Sequence, residues 1–246
     1  MNPLSQVTAA ILAGGAGTRL RAVVVDRPKV LASLGGRAFI TYLLDRLAAQ
    51  GIVKVVLCTG YLGEHVQELL GDNYHGMHLC YSREARPMGT GGAIVQALPL
   101  MASANVLVLN GDSYCATELA ASFAWHRRRK ARATVVLTRV EQSTRFGRVE
   151  VAPDGCIQRF CEKDVTATGA AWINSGVYWF EREVLAALPA GRPCSLEKDL
   201  FGSWSGDGLY GYCDNGRFLD IGVPDDYARA EQFLAEVHPP LGPTNE

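Results

Sequence analysis

The chain predicts an α/β fold: a Rossmann-like mixed, mostly parallel sheet with helices on both faces, followed by a β-rich segment. Two patterns predict the sheet. Short β-branched runs alternate with amphipathic stretches through residue 128, and the first run opens directly into a glycine-rich turn. A third observation marks off the second half, because beyond residue 134 strand-like runs follow one another with turn signals between them.

In order, the first half reads as strand 7–12, helix 38–49, strand 53–59, helix 63–70, strand 77–81, helix 91–98, strand 106–110 and helix 118–128. Strand and helix in turn imply crossovers, so these strands lie parallel and bury both faces. Asn110-Gly-Asp112 closes the fourth strand, at the carboxyl edge where open α/β sheets hold their ligands. After strand 134–140, the segments 148–151 and 156–161 flank Ala152-Pro-Asp-Gly155, whose Asp-Gly signals a hairpin. An apolar run at 172–180, short helices at 181–188 and 196–201, and strands at 209–213 and 218–221 follow. Helix 225–237 closes the chain, with Pro224 near its first turn and residues 239–246 as a frayed tail. The expected organisation is one domain over 1–238, with a nucleotide-type half to about 140 and a second half from 141 to 238. No internal repeat, and in particular no hexapeptide repeat, announces another domain.

With 246 residues, 48% of them hydrophobic and 20% charged, the sequence carries enough apolar surface for a globular core and excludes a disordered or collagen-like chain. The 24 Lys+Arg and 25 Asp+Glu leave a net charge of -1, so no general electrostatic footprint for nucleic acid or an anionic membrane exists. Any anionic substrate must be held locally. The longest apolar stretches fall short of the roughly 20 residues that span a bilayer, and the N-terminus lacks a signal-peptide pattern; a cytoplasmic location is expected. Seven scattered cysteines without a C-x-x-C pair read as free thiols in a reduced core. The one dense basic run, His126-Arg-Arg-Arg-Lys130, is expected to face water at a helix C-terminus and complement its dipole.

Chemistry begins at Ala13-Gly14-Gly15-Ala16-Gly17-Thr18-Arg19-Leu20. Three glycines there permit a turn whose N–H groups can point at phosphate oxygens without interference from Cβ. A Rossmann fingerprint starting at Gly15 would need glycine where Leu20 stands, and a Walker A loop would need Gly-Lys-Ser/Thr. What remains is a glycine turn followed by Arg19, a permanently charged fork suited to polyphosphate. Asp26-Arg-Pro-Lys29 adds a second cation, and an ammonium beside an arginine suits a phosphoryl centre that gains charge during attack.

Six pieces then stand in order: Gly14-Gly-Ala-Gly-Thr-Arg-Leu20, Arg27-Pro-Lys29, Gly111-Asp112, Glu162-Lys163, Asn174-Ser-Gly176 and Asp220-Ile-Gly222. In order and spacing they resemble the sugar-1-phosphate nucleotidyltransferases over roughly residues 7–236, and most nearly the guanylyltransferases acting on mannose-type 1-phosphates. The resemblance implies a nucleotide-diphospho-sugar transferase fold whose β-rich insertion binds sugar. It also implies attack by a sugar-1-phosphate oxygen on the α-phosphorus of GTP, with D-glycero-α-D-manno-heptose 1-phosphate favoured over mannose 1-phosphate. Arg19, Lys29 and Asp112 would be catalytic, and Asp112 and Asp220 would hold Mg²⁺. Leu12, Gly14, Gly15, Gly17, Thr18 and Arg19 would wrap the nucleotide, with Glu84, Gly89 and Thr90 on its base side. Lys163 would hold the sugar phosphate, while Gly147, Glu162 and Asn174 would meet sugar hydroxyls. The partners implied are GTP and a sugar 1-phosphate, without nucleic acid or membrane, and a homodimer is left open.

Glu84 carries the choice of base. A carboxylate only accepts hydrogen bonds, and guanine offers N1–H and N2–H₂ side by side, whereas uracil and thymine present an acceptor–donor–acceptor edge. Arg83 and Arg86 are the alternative partners for Glu84. Two other readings compete with a catalytic guanylyltransferase. One is a silent nucleotide-sugar sensor, which would commonly have lost a cation or metal ligand that this chain keeps; the other is a dinucleotide enzyme, weakened by Leu20 and by the absence of an acidic residue closing strand 53–59.

Overall fold

Strand β1 (Thr8–Ala13) is apolar on both sides, so neither of its faces can meet water. The protein is seen in a computed structural model that describes residues 2–15, 27–141, 143, 146–161, 169–204 and 208–237. After β1 come β2 (Ser33–Leu34), β3 (Arg37–Ala38), α1 (Phe39–Ala49), β4 (Lys54–Thr59), α2 (Gly63–Leu70), β5 (Asn73–Tyr74) and β6 (Met77–Arg83). Then follow α3 (Gly89–Ala97), β7 (Asn105–Asn110), β8 (Ser113–Cys115), α4 (Leu119–Arg128), β9 (Ala133–Val140), β10 (Arg148–Val151), β11 (Ile157–Cys161) and β12 (Ala171–Glu181). The chain ends in α5 (Arg182–Ala186), a wide helical turn at Leu196–Phe201, β13 (Leu209–Asp214), β14 (Phe218–Asp220) and α6 (Pro224–Val237).

One ten-stranded sheet runs β11-β10-β12-β7-β1-β4-β6-β5, with β9 paired to β12 and β13 paired to β9. Strands β7, β1, β4 and β6 are parallel, and β12 lies antiparallel to β7 from Val177↔Leu109 to Glu181↔Asn105. Successive residues of the central strands enter opposite cores, as a period of two requires. Ile11, Leu57 and Leu109 pack with α1 and α4 residues such as Leu43 and Leu119, while Ala10, Val56 and Val108 pack with Ile94 of α3 and Leu185 of α5. The predicted mixed, mostly parallel sheet with helices on both faces is therefore present.

The 152–155 hairpin forms, but not on an Asp-Gly two-residue turn. Gly155 N–H bonds Ala152 O at 2.8 Å, Ala152 N–H bonds Cys156 O at 2.9 Å, and Gly155 has φ +89°. Asp154 thus sits inside the turn and Gly155 supplies the left-handed residue of a longer loop. The short strands β2, β3, β5 and β8 had no periodic signal, since two or three residues are too few to show alternation. The basic run also needs correction. Arg127–Arg129 do close α4, but His126 is buried, with Nδ1 2.9 Å from Thr134 Oγ1 and Nε2 3.2 Å from Asn105 Oδ1. Arg128 and Arg129 lie over the Trp125 ring. All seven cysteines are free, and among the described residues no helix is long and apolar enough to cross a membrane. The predicted tail, 239–246, lies outside the described residues.

Candidate active site

The carboxyl ends of β1, β4, β6 and β7 open into one cleft of about 880 Å³, walled by Leu12, Gly14, Gly15, Lys29, Glu84 and Asp112 among others. Small residues let the chain turn here. A Cβ on Gly111 would stand 2.5 Å from Leu12 O, so only glycine lets the end of β7 cross the end of β1, where Gly111 N–H bonds Leu12 O at 3.0 Å. On Gly15 the same Cβ would meet nothing within 4 Å.

Asp112 follows that crossing. Antiparallel β8 and β14 set Asp220 opposite Ser113, and Ile221 N–H bonds Asp112 O at 3.0 Å, so a carboxylate from a distant part of the chain comes close to Asp112 at the wall of the cleft. Lys29 Nζ stands 2.7 Å from Asp112 Oδ2, with the lysine 10% and the aspartate 42% exposed. Burial raises the Asp220 pKa and the negative charge of Asp112 adds to it, while Lys29 and a hydrogen bond from Gly222 N–H oppose the rise. Two carboxylates close to each other, with the Lys29 ammonium beside Asp112, offer the hard oxygen donors that fit a hard divalent cation. Among the described residues no third His, Cys, Asp or Glu completes a cluster.

Glu84 extends from the end of β6, and its backbone N–H bonds Thr59 O at 2.8 Å. Oε1 accepts from Met88 N–H at 3.0 Å. Oε2 faces the backbones of Gly14 and Gly60, where added Cβ atoms would stand 2.5 and 3.4 Å from it. Neither arginine neighbour pairs with it: Arg83 bonds Glu64, and Arg86 donates to Gly191 O at 3.0 Å. Burial raises the Glu84 pKa, and the Met88 N–H partly offsets this.

Gly89 and Thr90 border the cleft and are also tied to the segment at 194–197. Gly89 has φ +71°, and a Cβ there would stand 2.6 Å from Cys194 O. Thr90 Oγ1 donates to Glu197 Oε2 at 2.9 Å and accepts from Leu196 N–H at 2.8 Å. Cys194 O also takes the N–H groups of Gly91 and Gly92, so the first turn of α3 is capped by the segment before Leu196–Phe201.

On the other side, Asn174-Ser-Gly176 forms an irregularity in β12, whose register along β9 shifts between Asn174 and Tyr178. Asn174 Oδ1 accepts from Gly176 N–H and Asn174 Nδ2 donates to Tyr178 Oη, both at 2.9 Å. Gly147 precedes β10, 3.0 Å (measured from an added Cβ) from Cys161 O. Gly17, Thr18, Arg19, Glu162 and Lys163 lie outside the described residues.

Four residues that the sequence reading missed belong to this region. Gly60 lies against Gly14 and Glu84, and its position just after a strand was the one signal available. Asn110 had only its place at the carboxyl end of its strand, and buried Tyr178 and Glu197 gave no signal, because each sits in a run that reads simply as strand or helix.

A mixed α/β sheet whose strand ends present a glycine turn, a lysine and two facing carboxylates defines an enzyme built to handle phosphates. The chain belongs to the nucleotidyl transferase family, which it matches over residues 8–237. It is 36% identical over 227 residues to the D-glycero-alpha-D-manno-heptose 1-phosphate guanylyltransferase of Aneurinibacillus thermoaerophilus, covering 92% of this chain and 97% of that protein. It is likewise 36% identical to the mannose-1-phosphate guanylyltransferase of Mycobacterium tuberculosis, of which it spans 65%. The crystal structure of HddC from Yersinia pseudotuberculosis complexed with GMP-PN superimposes with a TM-score of 0.81 at 28% identity, covering 93% of this chain and 99% of that one.

Proposed function

We propose that this protein transfers GMP from GTP to a sugar 1-phosphate, releasing pyrophosphate and forming a GDP-sugar. D-glycero-α-D-manno-heptose 1-phosphate is the favoured acceptor and mannose 1-phosphate the alternative. The single observation that carries the chemistry is the corner where Lys29 Nζ meets Asp112 at 2.7 Å and β8–β14 pairing brings Asp220 alongside. The favoured acceptor rests on similarity along nearly the full length of the heptose relative, against 65% of the mannose one.

In this reading an oxygen of the sugar phosphate forms a bond to the α-phosphorus while the bond to the β-phosphate bridge breaks. Such a reaction is mostly positioning and neutralisation of charge. Asp112 and Asp220 would hold a divalent cation such as Mg²⁺, whose chemistry when bound is to screen the triphosphate and polarise the α-phosphoryl group. Lys29, fixed by Asp112, offers its ammonium to the reacting phosphates. Gly14 and Gly15 leave backbone close to the triphosphate, with Gly17, Thr18 and Arg19 extending that cradle. Glu84, whose Oε1 takes Met88 N–H and whose Oε2 lies against Gly14 and Gly60, accepts the donors of guanine with this carboxylate. Lys163 holds the sugar phosphate, and Gly147, Glu162 and Asn174 order the sugar. We place the enzyme in the cytoplasm, which free thiols throughout the described chain support, and leave a homodimer as the assembly to be measured.

The test is pyrophosphate release from GTP, ATP, UTP and dTTP, each with heptose, mannose and glucose 1-phosphates and Mg²⁺. GTP with a manno-configured 1-phosphate should be the productive pair. Preference for UTP or dTTP, or no turnover with any pair, would overturn the proposal.

A further inference from the structure

We infer that Tyr61 is a specificity-determining residue whose ring stacks on the purine base of the triphosphate. This rests on the proposed reaction and deepens it at a residue that the sequence motifs did not single out.

Tyr61 stands two residues beyond the end of β4 and lines the same cleft as Glu84. The turn 60–63 that carries it into α2 is held at both ends. Gly60 O accepts from Gly63 N–H at 3.0 Å, and Thr59 O, one residue earlier, accepts from Glu84 N–H at 2.8 Å. A Cβ on Gly60 would stand 2.8 Å from Gly14 O and 3.4 Å from Glu84 Oε2, and one on Gly63 would stand 2.7 Å from Thr59 Oγ1. Glycine at both positions is therefore what lets the turn close onto the strand end. Leu62, between them, is left-handed at φ +53°, a conformation that a side chain of this kind adopts only where its surroundings dictate it. Tyr61 is thus carried on a fixed piece of backbone, bonded to the residue that lies against the Glu84 carboxylate.

The side chain itself is 58% exposed and, among the described residues, has neither a hydrogen bond nor a ring or cation partner. Its charged neighbours on that wall, Arg83 and Glu64, are paired with each other. A lone exposed tyrosine is ordinary on a protein surface. This one stands beside the carboxylate proposed to meet the base edge, and the two groups offer complementary contacts. Glu84 supplies hydrogen-bond acceptors, which act in the plane of a base and leave its faces bare. A flat apolar ring supplies what a carboxylate cannot. Stacking on it gains with the overlapping area, so it rewards a bicyclic purine over a pyrimidine, and it is blind to which purine it covers. The ring therefore selects for size while Glu84 selects among purines.

The test measures binding of GTP, UTP and inorganic tripolyphosphate, each with Mg²⁺, to the wild type and to Tyr61→Ala, Tyr61→Leu and Tyr61→Phe. Tyr61→Ala should weaken GTP by about 5- to 50-fold and UTP by no more than about threefold, while tripolyphosphate, which has no base, should shift by less than about twofold. Tyr61→Phe keeps the ring and should bind GTP within about twofold of the wild type. Tyr61→Leu keeps apolar bulk without a flat face and should resemble alanine, which also covers the case of an alanine variant that fails to fold. At saturating GTP and sugar phosphate, kcat should stay within about threefold in all three. Unchanged GTP affinity in the alanine and leucine variants, leucine equal to phenylalanine, or an equal loss for GTP and tripolyphosphate would overturn the inference. A wild type that binds no nucleoside triphosphate would sink the proposed function and this inference with it, whereas equal GTP binding by wild type and alanine variant removes Tyr61 alone.

Discussion

Replacing Glu84 with glutamine changes one atom in the cleft, and the surrounding backbone dictates which one. Oε1 receives Met88 N–H at 3.0 Å, so the glutamine carbonyl must take that place, because an NH₂ there would face a donor. The NH₂ is then forced into the position of Oε2, beside Gly14 and Gly60. Guanine loses one acceptor and meets a donor in its place. Two disrupted pairings at about 1–1.5 kcal/mol each amount to about 2–3 kcal/mol, or roughly 10²-fold in kcat/KM for GTP. The near-isosteric change should leave the melting temperature within about 2 °C, since Glu84 makes no ion pair among the described residues. Preference for GTP over UTP should narrow in parallel, because glutamine can donate and accept along a pyrimidine edge. Acidification supplies a second reading. Burial raises the Glu84 pKa, so the wild type should lose GTP efficiency as falling pH protonates this carboxyl, at a higher pH than an exposed glutamate would require, while Glu84→Gln lacks that limb. The measurement is kcat/KM for GTP, ATP, UTP and dTTP across pH for both proteins. A variant that keeps wild-type GTP efficiency within about threefold, or an unchanged GTP-to-UTP ratio, would refute the argument that Glu84 reads the base.

Asp220→Asn should reduce kcat by at least about 10²-fold and remove any Mg²⁺-dependent rise in melting temperature, as titration of both against Mg²⁺ would reveal; turnover near wild type at limiting Mg²⁺ removes Asp220 from the metal site. His126 makes stability depend on acid. Burial holds its pKa down to about 4 against 6.5 in the unfolded chain, so the unfolded state binds a proton that the folded state refuses. Its contribution is complete above pH 6.5 and is lost as pH falls toward 4, by up to about 3 kcal/mol. Chemical denaturation of wild type and His126→Gln at pH 7.5 and 4.5 checks this, and equal pH dependence in the two would contradict it.

The sheet was legible where strands are apolar throughout. Thr8–Ala13, Lys54–Thr59 and Asn105–Asn110 feed two cores by alternation, and a run with no polar face has few alternatives to the centre of a parallel sheet. Of the two three-residue strands that pair here, β14 was legible as strand 218–221 but β8 was not. The meeting of β8 with β14 places Asp220 beside Asp112, yet its register is a fact of tertiary packing across more than a hundred residues. Short motifs identified Asp112 and Asp220 as residue types, but not the hydrogen bond from Ile221 to Asp112 that sets their approach. Thr90 shows the converse. It stands in a glycine-rich turn that invites a nucleotide role, while its hydroxyl is taken by Glu197 and Leu196 from the other side of the fold.

Strand β12 joins the parallel strands and the β-rich segment in one sheet. Its C-terminal residues pair with β7 and its N-terminal residues with β10, so the strand belongs to the nucleotide side at one end and to the β-rich side at the other. A regular strand would carry its side chains past the end of β7 without a break. The shift between Asn174 and Tyr178 interrupts that regularity at the level of Asn110, and Gly176 supplies the left-handed backbone that the interruption needs. Asn174 closes the irregularity through Gly176 N–H and braces Tyr178, which makes it a builder of the site as well as a candidate to touch sugar. The two sides of the cleft are thereby held by the register of a continuous sheet. Substitutions at Gly176 should then disturb Asn110 and Ser113 together, since an added Cβ would stand 2.8 Å from Asn110 Nδ2 and 2.6 Å from Ser113 Oγ, one residue from Asp112.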